Sequence, residues 1–192
     1  MKVNINAKSV NQMVNAETVN IDQRSGESES PPSNEVASGG IFISYRRKDS
    51  ADVVGRIYDQ LVKYFGAQYV FKDVYSIPLG SDFGKYIIEA IGKSGALLAV
   101  IGEKWLEIND AGKTRLDEPN DFVRIEIESA LAGEIPVIPL LVRGATMPPK
   151  EKLPPSLEKL SEKNGIQIRP DPDFHIDMKR LITSLEKHIN PH

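Results

Sequence analysis

Ala96-Leu97-Leu98-Ala99-Val100-Ile101 is the stretch that decides the fold. A strand with one wet face alternates polar and apolar residues. An unbroken apolar run is covered on both faces, as in the middle of a parallel sheet. The run is too short to cross a bilayer, which takes about 20 residues.

Strand-like and helix-like segments alternate on either side of it. Upstream, Ile41 to Ser44 reads as a strand. Asp49 or Ser50 can cap a helix whose apolar residues Val54, Ile57, Tyr58, Leu61 and Phe65 recur at helical spacing, and Gly66 suits its exit. Val70 to Phe71 is a second, short strand, and a polar loop with Pro78 and Gly80 follows it. Ser81 can cap the next helix, with Phe83, Ile87, Ala90 and Ile91 on its inner face. Downstream of the central run lies a charged loop, Glu103 to Asn120, and then a helix from about Asp121 to Ala132, stopped by Gly133. Pro136 to Val142 is the next strand, Pro154 to Leu160 a short helix, Ile166 to Ile168 the last strand, and Phe174 to Ile189 a closing amphipathic helix. Five such β-α units predict an α/β domain: a doubly wound, five-stranded parallel sheet with helices on both faces. Ligands of such sheets sit beyond the carboxyl ends of the strands.

Two zones precede this domain. Residues 1–23 repeat valine followed by asparagine at Val3, Val10, Val14 and Val19, a weak repeat of β-prone residues. Residues 24–40 are rich in Ser, Glu, Pro and Gly and read as a flexible linker. The folded domain is expected over residues 41–189.

Composition removes several function classes. The chain has no cysteine, which excludes disulfides, thiolate metal sites and cysteine nucleophiles. Its net charge of −3 gives no global attraction to nucleic acid or to an anionic membrane. No apolar leader opens the sequence, and a cytoplasmic location is expected. His175, His188 and His192 are the only histidines and lack metal-ligand spacing. No phosphate-binding glycine loop follows a strand, and no G-x-S-x-G elbow is present.

What remains are polar residues at strand ends. Arg46 and Arg47 follow the first strand, where paired N–H donors can clamp a phosphate or carboxylate. A solvated basic loop explains them as well. On the helix after the charged loop, Val123, Ile127, Ala130 and Leu131 form the buried stripe. Phe122, Glu126 and Ser129 lie on the neighbouring face, which places Glu126 at the border of core and solvent. By geometry alone Glu126 reads first as an ordinary surface glutamate. Asp73, after the second strand, is a further carboxylate at the same sheet edge.

Four segments in consistent order, over about 150 residues, resemble Toll/interleukin-1 receptor (TIR) domains of the bacterial type. I-F-I-S-Y-R-R at Ile41 to Arg47 resembles the first strand and turn. F-K-D-V at Phe71 to Val74 with I-P-L-G at Ile77 to Gly80 resembles the second strand and BB loop. Ala96 to Ile101 followed by Trp105 resembles the third strand and its exit, and D-F-V-R-I-E-I at Asp121 to Ile127 the helix that carries the glutamate of enzymatic members. The resemblance implies a flavodoxin-like fold and cleavage of NAD⁺ as substrate, with no cofactor. It implies Glu126 as the catalytic carboxylate and Arg46, Arg47 and Phe122 around the bound dinucleotide. Asp73, Ile77 and Gly80 would lie on the loop that lines or gates the site. It further implies activation by TIR–TIR self-assembly, with a neighbour's BB loop completing the site, and a role in bacterial immunity. A second function class, a non-catalytic TIR scaffold, needs none of these site residues. Two positions depart from NAD⁺-cleaving relatives: Pro78, where some carry glutamate, and Phe122, where tryptophan is frequent.

Overall fold

The computed structural model describes residues 39–72, 83–107 and 112–189. The valine-asparagine segment at residues 1–23 and the linker at 24–40, apart from its last two residues, lie outside them.

Five parallel strands form the sheet: β1 (Gly40–Ser44), β2 (Val70–Lys72), β3 (Ser94–Ile101), β4 (Val137–Val142) and β5 (Ile166–Ile168). Their order is β2-β1-β3-β4-β5, with Ser44 beside Ala99 and Ile101 beside Leu141. The chain passes from β1 outward to β2, then returns across β1 to β3 and continues the other way. The winding reverses between β1 and β3, and this is where open α/β sheets leave a crevice.

The apolar run of β3 is buried on both faces, as its lack of alternation requires. Leu98 and Val100 face a core shared with α1 (Arg47–Phe65) and α4 (Phe174–Leu185). Leu97, Ala99 and Ile101 face a second core shared with α2 (Phe83–Gly92) and α3 (Phe122–Ala132). Val54, Ile57, Leu61 and Phe65 of α1, and Ile87, Ala90 and Ile91 of α2, are the buried residues that periodicity selects. Burying each of these side chains other than Ala90 contributes roughly 1.5–3 kcal/mol against the chain entropy. Gly66 ends α1 at φ 97°, a conformation open to glycine, and its N–H closes the last turn on the Val62 carbonyl at 2.9 Å. Among the described residues no helix is long and apolar enough to cross a membrane.

Three local expectations change. Asp49 does not cap α1: its carboxylate turns across the sheet edge and accepts the Lys104 N–H at 3.0 Å. The helix opens at Arg47 and kinks at Ser50 (φ −141°), whose hydroxyl donates to the Arg46 carbonyl. Between β4 and β5 there is no α-helix but two 3₁₀ runs, Lys150–Lys152 and Pro155–Glu162. Pro154 and Pro155 open the second run at positions where a helix tolerates proline, and Leu157 and Leu160 are its buried residues. Finally, α4 stops at Leu185, one turn before Ile189.

At the far edge, the fully buried Asp177 of α4 accepts from Arg169 N (3.0 Å), Nε (2.8 Å) and Nη2 (2.7 Å). The Arg169 donors hold its carboxyl below the usual carboxylate range. The folded-state pKa is thus depressed. The stability this group adds is complete above the unfolded value of about 3.9 and is lost as pH falls through the folded value. Asp177→Asn should therefore be less stable than wild type at neutral pH and lose less on acidification below about pH 4. Urea midpoints measured against pH give both slopes; equal slopes for the two proteins would contradict this.

Candidate functional site

At the crevice between β1 and β3 the protein places its own charged groups. The β1–α1 turn carries Arg46, whose side chain is 4% exposed. Its Nη1 and Nη2 donate to the two carboxylate oxygens of Asp121 at 2.8 and 3.2 Å, and its Nε donates to the Trp105 carbonyl at 3.1 Å. Asp121 is also the N-cap of α3, accepting the Arg124 N–H at 3.0 Å. Such a cap is worth about 1 kcal/mol. Arg115 approaches the same carboxylate from the exposed side, at 3.6 Å. One buried carboxylate therefore joins the ends of β1 and β3 to the start of α3.

Asp49 makes a second junction. Its carboxylate lies over Gly102, the residue after β3. A Cβ at Gly102 would stand 2.7 Å from Asp49 Cγ and from Oδ1. Glycine is required here by the close approach of the carboxylate and not by backbone conformation. Gly102→Ala should cost about 1–3 kcal/mol through overpacking; an unchanged urea midpoint would contradict this contact.

Among the described residues, three buried side-chain polar atoms have no hydrogen-bond partner: Ser44 Oγ, Asp49 Oδ2 and Trp105 Nε1. Ser44 ends β1, Asp49 lies in the first turn of α1, and Trp105 is in the turn after β3. An unmet buried polar group costs about 1–3 kcal/mol.

Glu126 lies on α3, one turn beyond Phe122. It is 4% exposed and belongs to the buried set with Val123, Ile127 and Ala130. The sequence reading placed it at the boundary; the structure buries it. α3 has neighbours on both flanks, the Pro155–Glu162 run and α2. Arg124 and Glu128 face the Pro155–Glu162 run, where Ser156 donates to Glu128 at 2.5 Å. Helical spacing puts Glu126 on the other side of the buried stripe from Arg124 and Glu128. Phe122 is 47% exposed, an uncommon position for a large aromatic ring. Ser129 points back along its own helix, donating to the Ile125 carbonyl at 2.7 Å.

The other candidate residues separate. Arg47, next to the buried Arg46, is exposed. Asp73, Ile77 and Gly80 lie outside the described residues. A cavity of about 300 Å³ opens beyond β3 and β4, lined by Ile101, Trp105, Ala145, Met147, Pro149 and Lys152 among others. Neither Glu126 nor Phe122 lines it, so this cavity adds nothing to their case. Sequence reasoning missed Asp121 as the partner of Arg46 and Gly102 as the seat of Asp49. The first pair is 75 residues apart in the chain and leaves no local signal.

Order and winding define a flavodoxin-like α/β domain. The sequence profile described as the TIR domain matches residues 41–182, and the chain belongs to that family. No curated protein matches it. Among solved structures it is similar to the TIR domains in the structure of the activated Roq1 resistosome directly recognizing the pathogen effector XopQ. That match has a TM-score of 0.58 at 14% identity, over 77% of this chain and 99% of the other.

Proposed function

We propose that this TIR domain cleaves the nicotinamide–ribose bond of NAD⁺ with Glu126 as its carboxylate, and does so when its domains assemble. The observation that carries the reading is the placement of Glu126: a buried carboxylate one turn from the exposed ring of Phe122, on a helix whose start is pinned to the sheet edge. In the reaction the C1′–N bond breaks and nicotinamide leaves with the electron pair as a neutral base. The ribose develops oxocarbenium character, which a nearby carboxylate stabilises in a site where charge is poorly screened. The leaving group needs no proton, so one carboxylate is enough. The same group can take the proton of the acceptor. Water as acceptor gives ADP-ribose; an adenine nitrogen or ribose hydroxyl of the same molecule gives a cyclic isomer. Phe122 offers a flat face to the base.

Assembly is supported by the family and by the likeness to the TIR domains of an activated resistosome, a context that also fits a role in immunity. The valine-asparagine repeats at residues 1–23 have the β-propensity and low charge of stacking segments, and in this reading they help cluster the domains. Incubating concentrated protein with NAD⁺ and separating products by chromatography tests the reaction. A chain beginning at Ser38 should show smaller particles in light scattering and lower specific activity at equal concentration. Equal size and equal activity would remove the repeats from the account.

The second reading is a scaffold that binds other TIR domains without catalysis. The observation favouring it is Arg46, each of whose three guanidinium nitrogens already has a protein acceptor. Unchanged NAD⁺ in protein shown to be assembled would decide for the scaffold.

A further inference from the structure

We propose that Arg46 is a positioning residue: its buried ion pair with Asp121 sets where Glu126 stands, and it does not hold the substrate. The inference rests on the reading of Glu126 as the working carboxylate.

The burial argues it first. The Arg46 and Asp121 side chains are 4% and 2% exposed, and the guanidinium is held from three directions by two carboxylate oxygens and the Trp105 carbonyl. A substrate phosphate would have to displace a buried carboxylate, which would leave Asp121 charged and poorly paired in a site of low dielectric. The planar fork instead fixes the carboxylate in distance and in plane, as a lysine could not.

The helix carries this outward. Asp121 Oδ1 accepts both from Arg46 and from the Arg124 N–H, so the ion pair and the helix cap are one object. Glu126 is five residues on, about 7.5 Å along a rigid α-helix. A shift or turn of the first helical turn therefore moves the carboxylate by a similar amount. Misplacing a catalytic group by about 1 Å can cost about 10²-fold in rate. Pairs of this kind are weak contributors to stability compared with apolar residues of the same size. A geometric role accounts for the pair where a stability role does not.

The two roles predict different kinetics. A substrate clamp raises KM when it is removed. A positioning pair lowers kcat and leaves KM nearly unchanged. The informative protein is the double variant Arg46→Met/Asp121→Ser in the full chain. It removes both charges together and keeps a hydroxyl to cap the Arg124 N–H. We expect kcat for NAD⁺ to fall on the order of 10–100-fold with KM within about twofold, and Arg46→Lys to lie between this and wild type. Amide hydrogen exchange is read in parallel. Peptides covering α3 should exchange faster in the double variant while peptides covering α4 stay as in wild type. A KM raised about tenfold at unchanged kcat overturns the proposal. So do kinetics that match wild type in both parameters. If wild-type protein leaves NAD⁺ intact, the catalytic reading fails on its own, and the exchange data decide for the positioning: unchanged α3 exchange then overturns it.

Discussion

Arg46→Ala is expected to lower folding stability by about 3–5 kcal/mol, the range seen when one partner of a buried ion pair is removed. The cost does not come from losing an attraction. It comes from leaving the Asp121 carboxylate 2% exposed with the Arg124 N–H as a close donor and Arg115 at 3.6 Å. The Trp105 carbonyl loses the Arg46 Nε donor as well. For a domain of this size each kcal/mol moves the thermal midpoint by about 2–4 °C, so a drop on the order of 10 °C is expected. Arg143 and Asp52 form the control: their side chains are 48% and 70% exposed, and Arg143→Ala should leave the midpoint nearly unchanged. Thermal unfolding of the two single variants compares a buried pair with a wet one in the same protein. Similar midpoints for both would contradict the junction described here.

Glu126→Gln has the largest expected effect on activity. The substitution keeps the shape of the side chain and removes its charge. A neutral amide cannot stabilise an oxocarbenium-like ribose as a carboxylate does, nor take the proton of an acceptor. The loss is set at about 10²-fold or more in kcat, the scale of removing one preorganised electrostatic group. KM should change little, because the interaction strengthens in the transition state. Glutamine is the informative choice over alanine, which would also open a cavity beside Val123 and Ile127. Single-turnover assays with unfolding curves for both proteins separate chemistry from folding.

Much of this was legible in the residues. The unbroken run at Ala96–Ile101 demanded a strand with two covered faces, and β3 has helices on both sides. Asp121 and Gly133 bracketed α3 because caps act within a turn and leave local traces. The failures share a cause. Asp49 looked like a cap because a short carboxylate near a helix start normally is one; its real partner, the Lys104 N–H, is 55 residues away. The run after Pro154 read as a helix by its leucines and is wound as 3₁₀, a difference that Leu157 and Leu160, three residues apart, do not resolve. Periodicity gave the angle of Glu126 around its helix and not the height of the neighbours beside it, so it placed a buried group at the boundary. The arginine pair read as one unit, a clamp or a solvated loop; the backbone turn buries one side chain and leaves the next exposed. Contacts between distant segments are where a single sequence is silent.

The most direct test of the central claim is nicotinamide release from NAD⁺ by the full chain, followed across protein concentration, with Glu126→Gln alongside. The account predicts release by wild type, specific activity that rises with concentration as domains assemble, and loss of at least about 10²-fold in the variant. Nicotinamide released equally by wild type and variant, or none from assembled wild-type protein, would contradict it.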